Sequence, residues 1–491
     1  MLGDENMNNQ KLGLPSVIST AVGLIVATSC LMSLGQGAGA LGTGFIVSMI
    51  LACAINICTA LCLAELNAVM PNLTGGLAQY TLAGIGPFVT IVTMVGGYIV
   101  CQSIAGSVEC AMFGNAVNSV FHTGVPSSVL CIALLVILII ANLLGVDMFA
   151  KIQNVVAYGL IISLVLMGLI GILGLGTGTQ VHQKINLASS FSDCFSLLGL
   201  AFFLFIGSEF VIPVAKDVKN ARRNVPLGMV LSLLIICGMQ ILIVFGMGRY
   251  TEWSQLGASE SPHILYGTSL LGHAGAIWMI IVSIFAVVST VNSAINFLSY
   301  MCAGMAKIGL MPEIFLKSNK RGAYYIGILM IGAIMILVNA TGLSTSDSLS
   351  FMILVAIVFW MISYVISDIN VLIFRKKLPK APRTFKVPFG PVIPIIGLVG
   401  NLFMIWNIDG DPTVRSRIFM IDGIIFVFLA VYAALWCKFK LKRKMFEPIP
   451  IHEVMAMENP MYLFTHKRYN KEHKNKKNES KNGIKEMPER V

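Results

Sequence analysis

The stretch Phe202-Phe203-Leu204-Phe205-Ile206-Gly207-Ser208-Glu209 sets a glycine, a serine and a carboxylate in the middle of an apolar run over 193–214. A run of that length crosses hydrocarbon as a helix, because a helix satisfies its own backbone hydrogen bonds where no water is present. Gly-Ser-Glu continues such a helix poorly. Glycine frees the backbone, and a glutamate at that depth costs about 3 kcal/mol on insertion scales. A companion lies five spans earlier: the run 14–41 contains Ala27-Thr28-Ser29-Cys30 and then a glycine-rich end with Gly35, Gly37, Gly39, Gly42 and Gly44. Interrupted spans at matching positions in two halves point to a transporter built from inverted repeats.

Outward from these two spans the same composition continues. Apolar runs cover 14–41, 43–69, 85–120, 127–147, 153–175, 193–214, 226–248, 273–303, 324–343, 349–374, 389–408 and 418–437. They are unbroken rather than alternating with period two, which excludes a membrane β-barrel and gives an all-α membrane protein of twelve transmembrane helices. Only 12% of the 491 residues are charged, against about 25% in soluble domains. The N-terminus opens with Asp4 and Glu5 and lacks a basic n-region, so no cleavable signal peptide is expected. All 11 cysteines fall in apolar spans without a C-x-x-C pair and read as small hydrophobes.

The net charge of +11 does not mark a nucleic-acid surface. The segment 438–491 alone holds 14 Lys and Arg against 7 Asp and Glu, and loops hold the rest. Alternate loops divide the chain's Lys and Arg 30 to 4, the rich set including Lys219, Arg222, Lys307, Lys317, Arg375 and the tail. By the positive-inside rule both termini are cytoplasmic and the protein is a multi-pass component of the cell membrane. The basic tail either touches anionic headgroups or, beyond Tyr469, is a solvated end.

A transported zwitterion needs two opposite features at mid-membrane. Free backbone N–H groups at the start of a half-helix accept its carboxylate, and free carbonyls at the end of the preceding half-helix accept its ammonium. Small residues allow the backbone to approach the ligand, and Ala27, Thr28 and Ser29 with Gly207 and Ser208 meet that need. Two carboxylates stand nearby in the sequence: Glu109 deep in the third span and Glu209 beside the interruption in the sixth. Each accepts a substrate ammonium, carries a coupling proton, or is simply buried and hydrogen-bonded. Glu65, near the end of the second span, reads as a structural cap or loop contact.

Four ordered segments carry a resemblance. Phe202–Glu209 with Lys216-Asp217-Val218-Lys219-Asn220-Ala221-Arg222-Arg223-Asn224-Val225-Pro226 resembles the sixth-helix signature of the amino acid–polyamine–organocation superfamily. Ala64-Glu65-Leu66 to Pro71, with Gly75-Gly76 and Tyr80, is similar to the end of that family's second helix and the loop after it. Met305-Ala306-Lys307-Ile308-Gly309-Leu310-Met311-Pro312 is similar to its segment after helix eight, and Pro382-Arg383-Thr384-Phe385-Lys386-Val387-Pro388 to its loop before helix eleven. The resemblance implies a ten-helix core over 14–374, in inverted repeats of about 14–175 and 193–374. It also implies a loop and two further helices over 375–437, flanked by a cytoplasmic N-terminus (1–13) and tail (438–491). The implied activity is secondary active transport of amino acids by alternating access. A polyamine carrier or an amino acid/amine exchanger is the alternative.

The implied site lies between helices one and six. It takes in Ala27, Thr28, Ser29, Cys30, Phe203, Phe205, Ile206, Gly207 and Ser208, with Phe203 as the aromatic that closes over the substrate. Glu109 and Glu209 are expected to gate or couple. The chain departs from the family in two places. Ala27-Thr28-Ser29-Cys30 replaces a G-S-G-type break, and 153–175 has no ionisable group except Tyr158, so no helix-five lysine is present. Sodium between helix-one carbonyls and the hydroxyls of Ser289 and Thr290 is a possible coupling ion, a proton is another, and no organic cofactor or metal centre is expected. The partners are a small solute and the lipid bilayer, with the oligomeric state open. No span carries a His-Glu or paired-Asp cluster of catalytic type, and no G-x-x-x-x-G-K-[ST] motif occurs, which argues against an enzyme and an ATP-driven pump.

Overall fold

The computed structural model describes residues 12–71, 73–74, 76–121, 123–181, 183, 191–341, 346–379, 381 and 383–458. The N-terminal segment 1–11 and the tail beyond Glu458 lie outside the described residues, as do Gly75 and Pro382 of the family-like motifs. Every extended element among the described residues is helical. In chain order they are α1 (Leu14–Ile25), α2 (Thr28–Leu41), α3 (Phe45–Val69), α4 (Leu77–Gly84), α5 (Pro87–Met94), α6 (Cys101–Phe121), α7 (Ser127–Leu143), α8 (Val146–Leu173), α9 (Phe191–Ser196), α10 (Leu198–Phe203), α11 (Ala221–Tyr250), α12 (Trp253–Ala258), α13 (Pro262–Lys307), α14 (Tyr325–Ala340), α15 (Ser346–Lys377), α16 (Val392–Trp406), α17 (Pro412–Trp436) and α18 (Ile451–Glu458). Among the described residues, seven helical stretches are long and apolar enough to cross a membrane, and five shorter apolar helices accompany them. The wide π-helical stretch Val95–Val100 joins α5 to α6, and a 3-10 segment, Ser208–Asp217, follows α10.

Lysine and arginine mark one end of the helices. Lys307, Lys317, Arg375 and Arg383 lie at this basic end, whereas α12 and the loop between α16 and α17 lie at the other. α13 is two helices joined by a kink at Leu271 and Gly272, with φ of −131° and +62°. Its first part lies against α2 at the end away from the lysines.

α1 packs against α8, α11, α13 and the 3-10 segment, and α2 against α6, α10, α12 and α13. These two helices therefore sit inside the molecule, whereas α17 presents Ile424, Phe428 and Val431 outward. That distribution suits lipid as the surrounding solvent. A parallel bridge between Leu12 and Val218, with Lys219 N–H donating to the Leu12 carbonyl at 2.9 Å, ties the chain before α1 to the chain after the 3-10 segment. Glu65, at the basic end of α3, accepts from Arg375 Nε at 2.9 Å, lies 3.2 Å from Arg383 Nε, and accepts from Val387 N–H at 2.8 Å. Its side chain is 2% exposed, so Arg375 and Val387 supply the hydrogen bonds that burial takes from its carboxylate.

The glycine-rich end of the first span does not interrupt it. Gly35, Gly37 and Gly39 lie within α2. A Cβ on Gly39 would fall 2.3 Å from the backbone nitrogen of Gly257 in α12. The missing side chain lets α12 lie directly on α2, as small residues do at membrane helix contacts.

Candidate functional site

The interruption in the first span is short. α1 ends at Ile25, Val26 and Ala27 leave helical geometry (φ −86°, ψ 85° and φ −95°, ψ 165°), and α2 starts at Thr28. The first N–H groups of a helix have no partner within it and carry the positive end of its dipole. Here they are aimed at Glu109 of α6. Thr28 N–H donates to Glu109 Oε2 at 2.9 Å, Ser29 N–H donates to Oε1 at 3.1 Å, and the Ser29 hydroxyl donates to Oε1 as well. The Thr28 hydroxyl donates to the Ser283 carbonyl at 3.1 Å, and the Ser283 hydroxyl lies 2.8 Å from His263 Nε2.

The last carbonyls of α1 are also occupied. Ser289 donates its hydroxyl to the Gly23 carbonyl at 2.6 Å, and Thr290 reaches Gly23 and Leu24 at 3.4 and 3.5 Å. Gln153 of α8 donates its amide to Ser289 Oγ at 2.8 Å. A sodium ion would draw on these same neutral oxygens. In this arrangement they are bonded to one another, and a Cβ on Gly23 would meet the Gln153 amide nitrogen at 1.7 Å. The packed arrangement does not fit an ion.

In the sixth span α10 ends at Phe203, residues 204–207 form a turn, and the 3-10 segment carries the chain on through Pro213. Gly207 has φ +119°, a backbone that side-chain-bearing residues rarely adopt. Its N–H donates to the Tyr364 hydroxyl at 3.3 Å. That hydroxyl in turn donates to Glu209 Oε2 at 2.6 Å, and the Trp360 indole N–H donates to Oε1, also at 2.6 Å. Gln240 donates its amide to the Leu204 carbonyl at 3.3 Å. Glu209 is thus held by α15, and the turn by α11 and α15.

The two interruptions touch. Cys30 Sγ lies 3.0 Å from the Ile25 carbonyl and 3.6 Å from the Phe203 carbonyl, spanning them. A Cβ on Gly207 would come 2.7 Å from Leu24 Cδ2. Ala27, Thr28, Ser29, Cys30, Phe203, Phe205, Ile206, Gly207 and Ser208 are all buried together, as are Glu109, Glu209, Ser289 and Thr290. Phe203, at the end of α10, is 8% exposed. Toward the basic end, Tyr98, Phe210, Phe297 and Trp360 form an aromatic cluster, with the Phe210 and Phe297 centroids 3.8 Å apart. Beyond it Thr20, Pro213, Asn296 and Tyr300 line a shallow crevice. Toward the other end, α12 and the start of α13 cover α2. The centre is closed on both sides.

Six polar residues here were not singled out from the sequence: Gln153, Gln240, His263, Ser283, Trp360 and Tyr364. Trp360 and Tyr364 did leave a signal. They stand four apart on one helix, so their polar tips share a face. The two glutamines are polar groups in apolar runs with partners 36 and 136 residues away in sequence, whereas His263 falls between the runs read from the sequence, 20 residues from the Ser283 hydroxyl.

A family profile described as "Amino acid permease" matches residues 12–438. The chain is 24% identical over 449 residues to the branched-chain amino acid permease BcaP of Bacillus subtilis (strain 168), covering 87% of this chain and 94% of that protein. It is 23% identical to the methylthioribose transporter of the same organism, with 85% and 91% covered, and 22% identical to BcaP of Lactococcus lactis subsp. cremoris (strain MG1363), with 86% and 94% covered. Among solved structures, two mutants of the Eremococcus coleocola manganese transporter share the fold at a TM-score of 0.56 and 14% and 15% identity, with 87% of this chain and 94% of theirs covered. The matched profile spans both interrupted helices and every element that touches them, and the chain belongs to the amino acid permease family, whose members are membrane transporters rather than enzymes.

Proposed function

We propose that this chain is a secondary active carrier of amino acids that works by alternating access, with its site where α1–α2 and α10 with the 3-10 segment are interrupted side by side. That juxtaposition carries the reading. Two half-helix ends meet in a buried centre, so backbone N–H and C=O groups are at hand where hydrocarbon would otherwise offer none. The substrate carboxylate takes the Thr28 and Ser29 N–H groups, and its ammonium takes carbonyls near Ile25 and Phe203. Ala27, Cys30, Phe205, Ile206, Gly207 and Ser208 shape the site, Phe203 closes it, and Glu109, Glu209, Ser289 and Thr290 gate it.

Twelve spans follow when each interrupted pair and α5 with α6 are counted once. Spans one to five and six to ten form the two repeats over 14–175 and 193–374, and α16 and α17 over 375–437 are additions. Both termini, 1–13 and 438–491, face the cytoplasm, which follows from the basic end of the helices. The similarity to two branched-chain amino acid permeases favours an apolar amino acid over a polyamine.

Purified protein in liposomes, loaded with unlabelled amino acid and given trace label outside, tests the reading. Counterflow of at least one amino acid, abolished when Gly207 is replaced by valine, is expected. No counterflow with any amino acid or diamine would contradict it.

A further inference from the structure

The N–H groups assigned to the substrate carboxylate are already taken by the protein's own Glu109. Its two oxygens accept from Thr28 N–H, Ser29 N–H and the Ser29 hydroxyl, which is how a bound carboxylate would be held. Among the described residues the ion pairs are Arg375 and Arg383 with Glu65 and Arg443 with Glu453, so Glu109 is in none of them and rests on helix donors alone. Glu109 is 2% exposed, and Thr28 and Ser29 are each 1% exposed. The first donors of α2 are therefore satisfied from within the protein, by a side chain of α6.

We infer that Glu109 is a tethered stand-in for the substrate carboxylate, and that it makes the protein a net transporter rather than an obligatory exchanger. The inference rests on the substrate site proposed above. A carrier returns empty only through a closed state, and closing an empty site strands buried donors at about 1–3 kcal/mol each. A carrier without an internal acceptor closes readily only when loaded, so it exchanges. Here Glu109 caps α2 in the empty state and the empty carrier closes at little cost. When an amino acid enters, its carboxylate and Glu109 cannot both hold the same two N–H groups. Glu109 leaves, α6 loses its tie to α2, and its freed carboxylate faces the incoming ammonium. No bond is made or broken beyond these hydrogen bonds.

The test compares, in proteoliposomes and with the amino acid identified by counterflow, uptake into empty vesicles with uptake into vesicles preloaded with the same amino acid. For the unmodified protein the two initial rates are expected to agree within about threefold. For Glu109→Ala the ratio of exchange to net uptake is expected to rise at least tenfold. For Glu109→Gln, which keeps one acceptor oxygen, a smaller rise is expected. A purely structural role would lower both rates together and leave the ratio unchanged, and that result overturns the inference. An exchange rate more than tenfold above net uptake in the unmodified protein overturns it too, without any variant. If the unmodified protein moves no amino acid in either mode, the substrate site itself is wrong.

Discussion

At Glu209 two side chains serve two carboxylate oxygens and one backbone donor. Tyr364 links Gly207 N–H to Oε2, whereas Trp360 touches only Oε1. Tyr364→Phe therefore strands two buried polar groups and Trp360→Phe one, each worth about 1–3 kcal/mol. The tyrosine variant is expected to melt at the lower temperature in detergent and to lose the larger share of uptake. Equal effects would mean that the turn at Gly207 does not depend on the hydroxyl. Glu109 differs in kind. Its partners are two backbone N–H groups and one hydroxyl of another span, so its removal changes what α2 offers to a ligand as well as how the span is held.

Among the helices, the contact of α12 with α2 leaves no room for a side chain. Gly39 leaves 2.3 Å between a notional Cβ and the Gly257 nitrogen, and backbone cannot move aside as a side chain does. Gly39→Val is expected to insert at normal levels and to lose at least tenfold in uptake, because α12 no longer seats. Uptake within twofold of the unmodified protein would show that this closure is not needed.

The same contact shows what the sequence carries and what it hides. The interruptions were readable: Gly207 supplies the positive φ, and small polar residues sit where α1 gives way to α2. The glycines from Gly35 onward read as part of the interruption because composition cannot distinguish a broken helix from one pressed against another backbone. Glu109 was visible as an isolated carboxylate in an apolar span, but its partners Thr28 and Ser29 lie 81 and 80 residues away, and no spacing rule joins α6 to the start of α2. The hydroxyls of Ser289 and Thr290 were placed near the first helix, yet Gln153, which fills the gap beside them, is a lone amide at the edge of a span. The Val95–Val100 π-helical stretch has no signal in hydrophobic pattern at all.

For the protein as a unit, the proposed sidedness puts the basic end of the helices in the cytoplasm. Gln255, in α12, and Lys317, between α13 and α14, are both exposed and lie at opposite ends. With a single cysteine introduced at either place, a membrane-impermeant maleimide is expected to label position 255 in intact cells and position 317 only after permeabilisation. The reverse pattern would invert the topology. The native cysteines among the described residues are buried, apart from half-buried Cys58, so background labelling is low.

The account as a whole turns on where the solute's carboxylate goes. A structure determined with a transported amino acid bound would settle it. Its carboxylate is predicted within hydrogen-bond distance of the Thr28 and Ser29 N–H groups, with Glu109 withdrawn from both. A solute bound elsewhere, with Glu109 still capping α2, would contradict the account.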